Sequence, residues 1–320
     1  MSLSADVYAH VDSPCWVCES DDVVPWRPRS LDRALAPDDL RITDDRYGAT
    51  LSLLRCHQCG FIFAEGEELD ELTSLYEQLN DPGYEQSHEP RELQMRWLLE
   101  VAREQCPDAR SLLDVGAASG LLVAEAARFG FDATGIEPSR ALVDAARRVH
   151  DVELVHGVLP HADLADRRFD LVFLVDVLEH VADPVALLRS CNERLAPGGT
   201  LVLVTPDVGS LAARMLGSRW WHFRLAHVGY FDERTLDRAV RAAGLMPLEQ
   251  GRARWFFSID YLASRLERYM PVAGLNRIAR SGSPGRWLYD RVTPLNLFDS
   301  FLLLAKRDEG DLAEVSDAAR

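Results

Sequence analysis

The sequence predicts an α/β fold built on a parallel sheet with helices on both faces. From Ser111 onward, short apolar runs alternate with segments of helical period. The runs are continuously apolar instead of alternating, and the longest, Phe169 to Asp176, is bounded by acids. Strands buried on both faces read this way.

The first strand is expected at Leu112–Val115, followed by a small-residue loop to Gly120 and a helical pattern from Leu121 to Phe129. Ala133–Glu137, Val152–His156 and Phe169–Asp176 read as strands two to four. Asp183–Leu195 reads as a helix, Ala196–Gly199 as a turn and Thr200–Thr205 as strand five. Beyond Pro206 the alternation loosens. Leu236–Ala243 reads as a helix ending at Gly244, and Ser300–Ala305 as the last clear strand. The expected organisation is a small module over 1–70, a helical linker over 71–107, a core over 108–256 and 298–307, a helical cap insertion over 257–297 and a disordered tail over 308–320. Leu93, Trp97, Leu98 and Val101 give the linker its helical spacing, and Asp81-Pro82-Gly83-Tyr84 reads as a turn over the ligand site.

The chain has 320 residues, enough for more than one folded unit, with 47% hydrophobic and 27% charged residues. No apolar run reaches the length of a membrane span and no signal peptide is visible, so a cytoplasmic location is expected. A net charge of −16 argues against nucleic acid as a partner. The sign reverses locally: Arg252 to Arg291 holds eight arginines against Asp260, Glu267 and Asp290. That segment reads as a solvated helix face or as a basic surface for an anionic substrate.

Four of the six cysteines form two knuckles, Cys15-Trp16-Val17-Cys18 and Cys56-His57-Gln58-Cys59. Without an export signal, this spacing points to a metal and not to disulfides. Four thiolates close a tetrahedral Zn2+ shell with no open position, so the ion is expected to be structural. Phe61, Ile62 and Phe63 are expected to pack the module onto a neighbour. Cys106 and Cys191 read as buried thiols.

The loop after Val115 brings bare backbone N–H groups towards a ligand at a helix start, the usual place for a nucleotide-like cofactor. A dinucleotide frame, G-x-G-x-x-G, fails here because Gly116 is followed by Ala118 and Gly120. Asp114 lies just before the loop. Its carboxylate repels a pyrophosphate and attracts the cationic amino-acid group of S-adenosylmethionine.

Leu113-Asp114-Val115-Gly116-Ala117-Ala118-Ser119-Gly120 resembles the first motif of class I S-adenosylmethionine-dependent methyltransferases, with Ala118 in place of the usual middle glycine. Gly135-Ile136-Glu137-Pro138-Ser139 resembles the second, Phe169 through Asp176-Val177-Leu178-Glu179-His180-Val181 the fourth-strand motif, and Leu195-Ala196-Pro197-Gly198-Gly199-Thr200 the turn before strand five. The resemblance implies a Rossmann-like core with a mostly parallel seven-stranded sheet. It also implies a cofactor held by Asp114, Gly116, Ala118, Gly120 and Asp176, with Glu137 on the ribose hydroxyls and Val158 and Leu159 beside the adenine.

The knuckles together with His227-Val228-Gly229-Tyr230-Phe231-Asp232 look like methyltransferases of sugar, polysaccharide and secondary-metabolite pathways. In the sugar C-methyltransferases of that group a glutamate–histidine pair precedes the Tyr-Phe. Here His227 matches the histidine, and Ala226 replaces the glutamate. This favours a hydroxyl acceptor over carbon, with His227 as the expected base and His180 as the second candidate. Asp176, Glu179 and His180 form a D-x-x-E-H cluster similar to a metal site of some quinone-pathway O-methyltransferases, which would admit Mg2+. Trp220, Trp221, His222 and Phe223 read as a sugar-stacking surface or as core. Arg224 reads as a contact for a nucleotide- or lipid-linked diphosphate. The rival readings are a sugar C-methyltransferase, a non-catalytic scaffold carrying a zinc module, and an RNA methyltransferase, the last opposed by the module's acidity.

Overall fold

The structure, a computed structural model, describes residues 13–41, 47–66, 69, 72, 75, 88–262 and 291–308. Strands β1 (Val23–Arg27), β2 (Leu53–Cys56) and β3 (Ile62–Ala64) form an antiparallel meander in the N-terminal module. Helix α1 (His88–Gln105) precedes the core and buries Leu98, Leu99 and Ala102. The core then runs β4 (Ser111–Val115), α2 (Leu121–Arg128), β5 (Asp132–Glu137), α3 (Arg140–His150), β6 (Val155–His156), β7 (Phe169–Val175), α4 (Pro184–Arg194) and β8 (Leu195–Pro206). It continues with α5 (Leu211–Leu216), β9 (Gly229–Tyr230), α6 (Glu233–Ala242), β10 (Leu245–Arg252), β11 (Trp255–Ser258), β12 (Val292–Leu295) and β13 (Ser300–Arg307).

Seven strands make the main sheet, in the order β10-β13-β8-β7-β4-β5-β6. The β7–β8, β4–β7, β4–β5 and β5–β6 pairs are parallel, and β13 runs antiparallel to both β8 and β10. This is the mostly parallel sheet that the sequence predicts.

The continuous apolar runs have a direct cause. Leu113, Val115, Val172, Leu174, Leu201 and Leu203 pack into the core on one face. Their sequence neighbours Leu112, Leu171, Phe173, Val202 and Val204 pack on the other, beneath α1. Each such side chain contributes about 1.5–3 kcal/mol by leaving water. Side-chain caps start the helices: Ser139 Oγ accepts from Leu142 N, Asp183 from Ala186 N at 2.8 Å, and Asp232 forms a reciprocal box with Thr235.

The structure departs from the sequence expectations at several points, and the turn expected at 196–199 lies inside β8, which begins at Leu195. Strand three shrinks to two residues at the sheet edge. An unforeseen strand, β10, covers the far side of β13. The span 257–297, expected to be helical, opens on the end of β11, turns helical over 259–262 and closes on β12, while 263–290 lies outside the described residues. The 81–84 turn and all but the first residue of the 308–320 tail also lie outside them.

The module is not a separate body. Strand β9, from the core segment, pairs with β3 to complete a four-stranded sheet β1-β2-β3-β9. Phe61 packs on Phe231 at 4.8 Å between ring centroids, as its apolar run predicts.

Candidate functional site

At the centre of the main sheet the chain reverses its order: β4 leads outward to β5 and β6, and β7 leads the other way to β8. Ligands of open α/β sheets sit in the crevice at such a switch, outside the carboxyl ends of the strands. Asp114 and the loop after β4 occupy that position. Gly116 and Gly120 have φ of +75° and +76°, and a Cβ on either would lie 2.5 Å from Val177 Cγ2 or 2.6 Å from Val152 Cγ2, respectively. Both positions therefore demand glycine. Ala118, at φ +47°, holds the left-handed conformation despite its methyl group, at a cost of about 1–2 kcal/mol. Its N–H is thereby aimed at Glu137 Oε2, 2.9 Å away, while Ser139 N–H donates to Oε1 at 2.8 Å. Each Glu137 oxygen keeps a further lone pair for a ligand hydroxyl.

Both carboxyls are buried. Burial lifts Glu137 to about 7 against the two N–H donors. Burial, and then the charge of Glu137, lifts Asp114 to about 7. Among the described residues no hydrogen-bond donor reaches the Asp114 carboxylate, so a buried acid faces the crevice uncompensated. A ligand combining positive charge with vicinal hydroxyls fits this pair, and a pyrophosphate does not. S-adenosylmethionine has that combination.

The other residues expected on the cofactor lie after β6 and β7. Leu159 is buried in the core beside Leu164, and Val158 is 61% exposed on the surface after β6. Asp176 ends β7 at φ +54°, half-buried. Burial lifts its carboxyl to about 7, opposed by Arg91 and reinforced by Asp299.

Glu179 and His180 lie in a short 3-10 turn, Leu178–His180, after β7, and His227 lies just before β9. Main-chain bonds bring these distant segments together: Val228 N–H donates to the Glu179 carbonyl at 2.7 Å, and His180 Nδ1–H donates to the Ala226 carbonyl at 2.8 Å. The rings of His180 and His227 meet edge to face at 4.7 Å, and His222 stacks on His227 at 5.9 Å. Burial pushes His180 down to about 4 and His227 well below the ordinary imidazole value, so both are neutral. Burial, then the charge of Asp176, holds Glu179 well above the carboxylate range.

One ligand-type atom each from Glu179, His180 and His227 lies within 4.8 Å of the others. Asp176 is outside this group. Its charge is still felt at Glu179, whose carboxyl it raises, and His227, 47 residues on from His180, joins the group from a distant segment. Mg2+ prefers oxygen ligands, and two imidazoles with one carboxylate do not suit it.

Sequence reasoning missed Thr205, whose Oγ1 donates to Glu179 Oε2 at 2.9 Å, and Asp299, which lies 3.4 Å from both Trp220 Nε1 and His222 Nε2. Neither carries a local motif. Trp220 and Phe223 are buried core, leaving Trp221 and His222 as the partly accessible members of the aromatic cluster. Arg224 lies over the Tyr47 ring. Arg252 pairs with Asp207 and Arg254 covers Trp97, so the first two arginines of the basic segment are occupied within the fold.

In the module, the Sγ atoms of Cys15, Cys18, Cys56 and Cys59 all lie within 4.8 Å of one another, with Cys15–Cys59 and Cys18–Cys56 at 3.5 Å. A zinc ion with bonds of about 2.3 Å spaces its four sulfurs by roughly 3.8 Å, so this donor set fits. The N–H groups of Cys59 and Phe61 point at Cys56 Sγ and Cys59 Sγ at 3.5 Å, the second-shell bonds a thiolate needs.

A family model described as "Methyltransferase domain" matches residues 86–250, just over half of the chain. The chain belongs to this methyltransferase family. The ubiquinone biosynthesis O-methyltransferase of Cereibacter sphaeroides is 32% identical to it over 151 residues, 43% of this chain and 61% of that protein. The protein of the same name from Xanthomonas campestris is 42% identical over 112 residues, 33% of this chain and 46% of that one. The chain spans about half the length of the curated relatives it matches. The structure of the CcbJ methyltransferase from Streptomyces caelestis is similar with a TM-score of 0.45 at 17% identity, covering 74% of this chain and 96% of that one. Among the described residues of this chain, no helix is long and apolar enough to cross a membrane.

Proposed function

We propose that this protein transfers a methyl group from S-adenosylmethionine to a hydroxyl of a small molecule, of the class of sugars, glycan precursors or secondary metabolites. The observation that carries the reading is the uncompensated Asp114 carboxylate beside Glu137, at the switch point of a sheet belonging to a methyltransferase family. Bound there, S-adenosylmethionine supplies a methyl group already activated by a positive sulfur.

The chain's own task is then largely placement. Asp114 balances the ligand's positive charge. Glu137 accepts the ribose hydroxyls, with Ala118 and Ser139 holding its carboxylate in orientation. Gly116 and Gly120 keep the loop close to the ligand. On the acceptor side, His180 and His227 offer neutral imidazoles able to take up a hydroxyl proton, with the Glu179 carboxyl beside them. The four cysteines hold structural zinc and fix the module against β9. The names of the curated relatives support an oxygen acceptor.

Incubation with methyl-labelled S-adenosylmethionine and a panel of hydroxylated sugars and phenols tests the reading. Label recovered on an acceptor oxygen supports it. Label on carbon or nitrogen replaces the acceptor, and cofactor that never binds leaves a scaffold.

A further inference from the structure

We propose that His222, held by Asp299, is an acceptor-binding residue that takes a hydrogen bond from a second hydroxyl of the substrate, beside the one that receives the methyl group. The inference rests on the methyl-transfer reading and narrows its acceptor to molecules with neighbouring hydroxyls.

Asp299 immediately precedes β13, and the ladder pairs Ser300 with Pro206, the last residue of β8. Asp207 N–H donates to the Asp299 carbonyl at 2.8 Å. Asp299 therefore stands at the carboxyl edge of the parallel strands, where ligands of such sheets sit. Its charge reaches Asp176 after β7, whose carboxyl it helps to raise. The Asp299 side chain is 1% exposed. Its Oδ2 receives the Trp220 indole N–H at 3.4 Å and lies 3.4 Å from His222 Nε2.

A carboxylate only accepts hydrogen bonds, so Nε2 faces it carrying the ring proton, and Nδ1 of the neutral ring keeps a lone pair. That lone pair calls for an O–H or N–H donor, which a carbonyl, carboxylate or phosphate does not supply. The His222 side chain is 18% exposed, whereas Trp220 and His227 beside it are buried. Trp220 meets the ring edge to face at 5.0 Å. His227 lies nearly parallel to it, with 20° between the planes and 5.9 Å between centroids. Two such rings, each taking a hydrogen bond of about 2.8 Å, suit oxygens on adjacent carbons of one molecule. Trp221, 6.3 Å from His222 and half-buried, adds aromatic surface for the apolar side of a sugar or phenol.

The test uses the full zinc-loaded chain, methyl-labelled S-adenosylmethionine and acceptors in matched pairs: catechol with phenol, and methyl glucopyranoside with its monodeoxy analogues. Both kcat and KM are recorded for each member, with cofactor affinity measured alongside. Wild type should prefer the diol member by about tenfold or more in kcat/KM, chiefly through KM. His222→Phe, which keeps a ring and removes both nitrogens, should bring that preference to about parity with cofactor affinity unchanged. Asp299→Asn, whose amide oxygen still accepts the Nε2 proton, should retain most of the preference, and Asp299→Leu should lose it. If the phenylalanine variant is poorly folded, His222→Asn, which keeps an acceptor, should show part of the preference. Equal use of both members by the wild type, or a preference kept by His222→Phe, overturns the role of His222 while methyl transfer stands. Label on no acceptor, with cofactor bound, overturns the methyl-transfer reading and this inference with it.

Discussion

Ala64 donates its main-chain N–H to the carbonyl of Val228 at 2.7 Å, tying the last strand of the cysteine module to the residue that follows His227. The tie is extended by the β3–β9 ladder, by Phe61 against Phe231, and by Gly48 N–H donating to the Phe223 carbonyl at 2.8 Å. The cysteine module is therefore hydrogen-bonded to the segment that carries His227, while the cofactor cradle stands on the main sheet.

Removing zinc should separate the two. A chelator, or Cys18→Ser, should loosen β3 and displace His227, lowering turnover by about tenfold to a hundredfold. Cofactor affinity should change by less than about threefold, since Asp114 and Glu137 stand on β4 and β5 of the main sheet. Parallel turnover assays and calorimetry check this. Equal losses in both would show that the module supports the whole fold and not the histidines in particular.

Ala118 and Gly116 should respond in opposite directions. Ala118→Gly relieves the strained φ of +47° but loosens the unfolded chain, so the melting temperature should stay level or rise by a few degrees. Gly116→Ala places a methyl group 2.5 Å from Val177 Cγ2 at φ +75°, and should destabilise by about 1–3 kcal/mol and weaken the cofactor. Thermal melts of the two variants decide it.

Cofactor binding should release protons near neutral pH. Asp114 and Glu137 are raised to about 7 in the folded chain, so both are partly protonated there. A positively charged ligand favours their ionised forms, and affinity should therefore rise from about pH 6 to pH 8. On stability alone, the folded chain binds more protons than the unfolded one between the ordinary carboxyl range and about 7, so these two acids favour folding at low pH and lose that contribution as pH rises through 7. His180, held down to about 4, acts in the opposite sense between 4 and its ordinary 6.5. Calorimetry at pH 7 in buffers of differing ionisation enthalpy isolates the carboxylates, and proton uptake on binding contradicts the assignment.

His227→Ala should leave cofactor binding intact and lower turnover by about a hundredfold. Unchanged turnover removes the residue from the chemistry as a base.

The cradle was legible because one continuous stretch carries it: an acid closing an apolar strand, then glycines at positions where only glycine fits. The central strands were legible because burial on both faces keeps their interiors apolar, as in Leu171–Val175 and Leu201–Val204. Strand β10, Leu-Met-Pro-Leu-Glu-Gln-Gly-Arg, escaped notice because it is an edge strand whose face is largely exposed and which contains a proline. Strand β9 has two residues, too few to show a period. The histidine cluster could not be read from spacing, since only the bonds of Ala226 and Val228 to the Leu178–His180 turn bring His227 to Glu179. Trp220 reads as a stacking surface or as core, and the structure buries it in an apolar cluster with its indole N–H directed at Asp299, 79 residues away.

A calorimetric titration with S-adenosylmethionine tests the electrostatic role of Asp114 most directly. Wild-type protein should bind one molecule per chain. Asp114→Asn, which removes an uncompensated buried charge, should melt no lower than wild type while losing about thirtyfold or more in affinity. A wild-type protein that gives no heat, or an asparagine variant that binds as tightly, contradicts a cradle built on that carboxylate.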